Sequence, residues 1–286
     1  MTRFTATRPS IPSRTVSRIC EADMRARSPA LSVHSPQRHE TAYILRLADN
    51  ALILGQRLAE MCARAPEMEL DMALMNIALD LIGQAKALYE HILELEQLAD
   101  NADVLAMTRP LSGYTCCHMV SRPNRDFAWI VLRQYLFSSM QKYQYEALLG
   151  SSDKTLAALA EKSLKEIAYH IRFARTWVIR LGDGTEESHQ RLADALSYLW
   201  RFSEEMWQKD GTLEAVIRAG ISADFTTAHD KWLDEITATL DEAGGLRLPE
   251  VGRMLSGGYQ GEHDEHLGHI LKDLQFMQLK YPGLEW

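Results

Sequence analysis

The chain has 286 residues, 46% of them hydrophobic, 24% charged and 8% aromatic, with a net charge of −8 and a mean hydropathy of −0.23. This is enough for one large core or at most two domains, and it excludes fibrous and largely disordered classes. Charged residues interrupt every apolar run short of the ~20 residues that a spanning helix needs, and the acidic balance argues against gripping nucleic acid. The four cysteines, Cys20, Cys62, Cys116 and Cys117, form no CxxC pair, so they read as reduced thiols in a cytoplasmic chain.

Residues 1–40 differ from the rest. They hold seven arginines against Glu21, Asp23 and Glu40, and four of the nine prolines, among many Ser and Thr. So little apolar area cannot offset the entropy of ordering, and a disordered extension is expected here. An Arg- and Ser-rich, acid-poor start also matches an organelle-targeting sequence, and an overextended start with Met24 near the true beginning is the plainer alternative.

From Thr41 the apolar residues recur at helical spacing. Ile44, Leu45, Ala48, Leu52 and Leu58 mark a first helix, and Leu70, Leu74, Ile77 and Leu81 a second. The second is expected to open with Pro66 at its first position and to run to about Leu98, with Glu67, Glu69 and Asp71 near the positive end of its dipole. A polar connection over 100–123 follows. Asn124 is positioned to cap a third helix through Ala128, Leu132 and Tyr135 to Leu149, and Asp153 opens a fourth, carried by Leu156, Leu164, Ile167 and Trp177 to Leu181. Further helical stretches are predicted near 186–210, 227–242 and 262–280. No proline falls between Asn124 and Leu248, and no segment alternates with period two, so the fold class is all-α. Two tight hairpins joined by one long crossover predict a ferritin-like four-helix bundle over 41–286, with additional C-terminal helices.

Such bundles often clamp two metal ions with a Glu from each of two helices and a Glu-x-x-His from each of the others. Tested helix by helix, the pattern falls short. Helix one offers Asp49. Helix two offers Asp80, with Gly83 three residues on and Gln84 after it. Helix four offers Glu166, followed by Tyr169 at the third position and His170 at the fourth. Helix three has no acidic residue between Asp126 and Glu146, and its inward stripe is Gln134, Ser138 and Gln141. A degenerate metal site at Asp49, Asp80, Glu166 and His170 is therefore the lesser reading. The main one is a set of buried polar groups, paired with one another or with Arg46, Lys86, Arg133 or Lys142. Near the C-terminus Glu262, His263, Asp264, Glu265, His266 and His269 cluster, and read as a capped helix start or a partner contact rather than a metal site. Cys116 and Cys117 beside His118 read as packing.

Several separated runs carry a resemblance: TAYILRLADN at 41–50, LGQRL at 54–58, NIALDLIGQA at 76–85, KEIAYHIRF at 165–173, LWRF at 199–202, EHLG at 265–268 and the ending Pro282, Gly283, Trp286. In register from Thr41 onward, they resemble the C subunits of bacterial phenylacetyl-CoA epoxidases, multicomponent oxygenases of phenylacetate catabolism. The resemblance implies a ferritin-like structural subunit that is not itself catalytic. It also implies a catalytic partner whose di-iron site epoxidises the CoA-activated ring with O2, a reductase with flavin and iron–sulfur centres that draws on NADPH, and smaller subunits. No catalytic, cofactor-binding or metal residue of that catalytic partner is transferred to this chain. The alternatives are a self-sufficient metal-dependent oxidase at the irregular site and a ferritin-type store, which the extra helices after Leu181 disfavour.

Overall fold

The computed structural model describes residues 38–98 and 101–281. The expected extension over 1–40 lies outside the described residues, except for residues 38–40. These lead directly into the first helix, which starts at His39, two residues earlier than the apolar pattern suggests.

Four long helices build the bundle: α1 (His39–Ala59), α2 (Met68–Glu96), α5 (Phe127–Glu146) and α6 (Lys154–Gly182). α1 lies along α2, α5 lies along α6, and α2 packs against α6. The expected hairpin pairing and ferritin-like layout are therefore present, and the described residues contain no strand. Gly55 lets the first hairpin close tightly: a Cβ there would stand 3.0 Å from Ile82 Cγ1 and 3.2 Å from the Ala78 carbonyl oxygen. That contact accounts for a glycine in mid-helix, where it otherwise costs about 1 kcal/mol against alanine.

The start signals of two helices differ from expectation. α2 begins at Met68 behind an extended Glu67 whose side chain makes no cap, so Pro66 stands before the helix, and Gln97 ends it in the left-handed region at φ 54°. α5 is capped by Asp126, which accepts from Trp129 N at 3.1 Å, and not by Asn124. The Asn124 amide instead donates to the Arg57 carbonyl and accepts from Arg133 at 2.6 Å. A carboxylate satisfies the first-turn amides better than an amide oxygen committed elsewhere. Asp153 caps α6 as expected, accepting from Leu156 N at 3.0 Å.

The polar crossover is folded and largely buried. It carries α3 (Ala102–Met107), a single 3-10 turn (Leu111–Gly113) and α4 (His118–Ser121). Tyr114, Cys116, Cys117, Met119 and Val120 in it are fully buried. Arg109, His118 and Arg122 are buried too, because each finds a partner inside.

α1 buries 16 of its 21 residues and α5 buries 17 of 20, whereas α6 buries one seam of eight residues out of 29. A helix buried all round needs neighbours on every side, and the C-terminal third supplies them. α7 (Glu186–Leu199) lies on α5 and α8 (Gly211–Arg218) on α1. α9 (His229–Glu242) packs on α6, and α10 (Glu265–Lys280) reaches α1, α3 and α4. The stretch predicted over 186–210 breaks at Leu199 into two 3-10 turns, Trp200–Phe202 and Glu204–Trp207, and α8 falls where the periodicity predicted no helix. Among the described residues no helix is long and apolar enough to cross a membrane.

Candidate functional site: the polar interior of the bundle

Because α1 is buried on all sides, Asp49 has to find its counter-charge inside the protein. It is 0% exposed. The Arg109 guanidinium from the crossover closes on it with two nitrogens, Nη1 standing 3.0 Å from Oδ2 and Nη2 bonding Oδ1. Tyr89 of α2 donates to Oδ1 at 2.7 Å, and Thr115 donates its backbone N–H to Oδ2 at 2.7 Å and its hydroxyl at 3.2 Å. Both oxygens are thus fully engaged. Burial opposes the Arg109 charge, but Asp49 and the nearby Tyr89 oxygen outweigh it and hold the group above its ordinary range. Burial beside the same carboxylate pushes the Tyr89 phenol and the Cys116 thiol well up. Cys117 rises through burial and then Glu205, so neither thiol is poised as a thiolate.

The other candidate ligands lie in a separate group between α2 and α6. His170 Nε2 meets Asp80 Oδ2 at 3.0 Å, and Gln84 donates to Glu166 Oε2 at 2.8 Å. Gln141 of α5 donates to Gln84 Oε1 at 3.2 Å, and Gln134 donates to Ser138 Oγ at 2.7 Å. Gln134, Ser138 and Gln141 sit at the bundle centre, as the stripe predicts. His170 is fully buried, and burial pulls its pKa below the usual value while the bond to Asp80 opposes the shift. The structure therefore brings Asp80 to His170 and Glu166 to Gln84, and leaves Asp49 with Arg109.

A di-iron pair does not fit these atoms. Its roughly four positive charges call for about four carboxylates with free lone pairs. One of the three available here is spent on a guanidinium, and α5 supplies only amides and a hydroxyl. Among the described residues no three His, Cys, Asp or Glu side chains are grouped to hold a metal ion.

The expected basic partners also pair differently. Arg46 meets Asp210 at 2.6 Å, Lys86 meets Glu90 at 3.8 Å and Lys142 meets Glu235 at 3.7 Å, while Arg133 bonds the Arg122 carbonyl and Asn124. None of the four reaches Asp49, Asp80 or Glu166. Arg109, the actual counter-ion of Asp49, was missed because it lies 60 residues away in a segment without periodicity. Glu205 was missed because its partners lie 87 and 53 residues away along the chain. It is buried at 2% exposure and accepts from His118 N at 2.6 Å and Gly258 N at 2.7 Å, with His118 Nδ1 at 3.0 Å.

The histidine cluster near the C-terminus serves the same interior. Asp264 caps α10 by accepting from His266 N at 3.1 Å and pairs with Arg122 at 2.6 Å, while His263 Nε2 meets the Tyr114 carbonyl at 2.8 Å. Gln275 then donates to the Arg109 carbonyl at 2.8 Å and to Tyr114 at 3.0 Å, so α10 fastens the crossover that neutralises Asp49.

The family described as "Phenylacetic acid catabolic protein" matches residues 25–286. The C subunit of the 1,2-phenylacetyl-CoA epoxidase of Escherichia coli (strain K12) is 41% identical over 246 residues, which covers 86% of this chain and 98% of that protein. A ferritin-like bundle matched by that family over its whole described length, and sharing two residues in five with such a relative, belongs to the phenylacetic acid catabolic protein family.

Proposed function

We propose that this chain is a structural, non-catalytic subunit of a phenylacetyl-CoA epoxidase. It scaffolds a partner whose di-iron site epoxidises the CoA-activated aromatic ring with O2 and NADPH. The observation that carries the reading is the Asp49–Arg109 pair: a guanidinium occupies the carboxylate that a first-helix metal ligand would have to offer. The relative's name, which makes it one subunit of an epoxidase, supports a place in a multisubunit enzyme. The partners are then the catalytic subunit, the smaller subunits and a reductase with flavin and iron–sulfur centres, all cytoplasmic.

The outer face of α2 supports a subunit that is covered by another chain. Met68, Met72 and Leu79 are 75%, 60% and 66% exposed along one stripe of that helix. Single exposed apolar side chains are ordinary, but an aligned row of three on one helix is the kind of face that a partner covers.

The test is co-expression with the catalytic subunit of such an epoxidase, followed by iron analysis and turnover of phenylacetyl-CoA. We expect a stable complex in which iron and turnover follow the partner, with substoichiometric iron in this chain alone. Stoichiometric, tightly held iron and oxygen turnover by the isolated chain would establish the oxidase alternative instead.

A further inference from the structure

At the end of the bundle where α1 leads into α2 and the crossover meets α5, a cleft of about 450 Å³ opens to solvent. Arg64, Arg125 and Arg191 line it, together with Met61, Pro66 and Phe127. Two carboxylates also face it, and both are engaged. Glu60 accepts from Arg57 at 2.8 and 2.9 Å and from Asn124 at 3.2 Å. Asp126 caps α5 and stands 3.9 Å from Arg191. Arg191 is paired more tightly with Glu187, at 2.5 Å, but the other two cations are less well matched. Arg125 lies over the rings of Trp129 and Tyr198, at 4.2 and 5.1 Å from their centroids. Among the described residues, neither Arg64 nor Arg125 has a carboxylate within ion-pair distance.

A second observation lies beneath the cleft. Arg133 of α5 is 2% exposed, and its guanidinium bonds only neutral oxygens, the Arg122 carbonyl and the Asn124 amide, which itself lines the cleft. Its Nε has no partner. Burial and then the neighbouring Arg57 pull its pKa down, with Glu60 opposing, which is the mark of a buried cation short of negative charge. An arginine buried without a carboxylate is costly, so a counter-charge brought from outside the chain would stabilise it. In a chain of net charge −8 this end of the bundle is a local positive surplus beside an apolar floor.

We propose that this cleft binds a phosphate-bearing organic anion, held by Arg64 and Arg125 with its apolar portion against Met61, Pro66 and Phe127. Planar guanidinium forks match phosphate oxygens two at a time, and the stacking of Arg125 on two rings pre-orients one of them at low entropic cost. The proposal is independent of the role in an epoxidase, because it rests on charge and shape within this chain alone.

Isothermal titration of the full chain with pyrophosphate, ADP and adenosine at fixed ionic strength tests it. The expected result is saturable one-site binding of ADP and of pyrophosphate, tighter for ADP, and no binding of adenosine. The double variant Arg64→Ser/Arg125→Gln should weaken ADP binding at least tenfold, while circular dichroism and the thermal midpoint stay as in the parent. The single variant Arg64→Ser, at an exposed position, should weaken it severalfold and serves if the double variant misfolds. Absence of saturable binding by both anions, equal binding of adenosine, or affinity untouched by the substitutions would each overturn the proposal.

Discussion

The Arg109 guanidinium grips the Asp49 carboxylate from 60 residues away, with Nη1 3.0 Å from Oδ2, in a place where both side chains are at most 4% exposed. Severing this pair should cost far more than a surface ion pair does, because the survivor keeps its charge in a dry interior. Arg109→Ala is expected to destabilise by about 3–5 kcal/mol. The double variant Asp49→Asn/Arg109→Met should recover a large part of that loss, and urea midpoints of the three proteins read the difference.

The amides at the bundle centre invite the reverse experiment. Gln141 lies 3.2 Å from Gln84, which in turn holds Glu166. Gln141→Glu places a carboxylate beside a side chain already bonded to one, so burial and like charge act together. A loss of about 2–4 kcal/mol is expected at neutral pH, shrinking as the pH is lowered and the new group protonates.

Acid should weaken the fold in two stages. Burial holds the pKa values of His170, His263 and His266 below the ordinary histidine value, so the unfolded chain binds more protons than the folded one. Their contribution is complete above the unfolded value near 6.5 and is lost as pH falls through the lower folded values. Asp210, Asp224 and Asp264 have depressed carboxyl pKa values despite burial, because Arg46, Lys209 and Arg122 respectively pair with them. Their contribution disappears only as pH falls below about 4. His170→Gln should flatten the first stage, seen as a smaller drop in urea midpoint between about pH 7.5 and about pH 5.5.

The stripe on α2 should matter to partners and not to the monomer. Met72 and Leu79 are 60% and 66% exposed, so Met72→Glu/Leu79→Glu should move stability by less than about 0.5 kcal/mol. Capture of the catalytic partner in a co-expression pull-down is expected to fall at least tenfold. Unchanged capture would place the joining face elsewhere on the chain.

Periodicity made the four long helices, their hairpin pairing and the polar centre of α5 legible, because each depends on residues three or four apart. The cap of α6 at Asp153 was readable on the same local terms. Asn124 was misread because the helix starts only at Phe127, two residues later than a cap at Asn124 would place it, and its amide is held by Arg57 and Arg133, a tertiary contact that no local pattern encodes. The partner of Asp49 was hidden for a related reason. Arg109 stands in a short irregular segment, and only the folded path of the crossover brings it to α1. The break at Leu199 escaped because 3-10 turns keep an apolar spacing close to that of the helix they interrupt.

Gln134, Ser138 and Gln141 have one consequence that reaches beyond stability. None of them gains or loses a proton across the biological pH range, so the central stripe of α5 keeps one charge state while the buried His170 nearby can titrate. In the assembly proposed above, that stripe is a fixed neutral strip inside the bundle, whatever the pH outside.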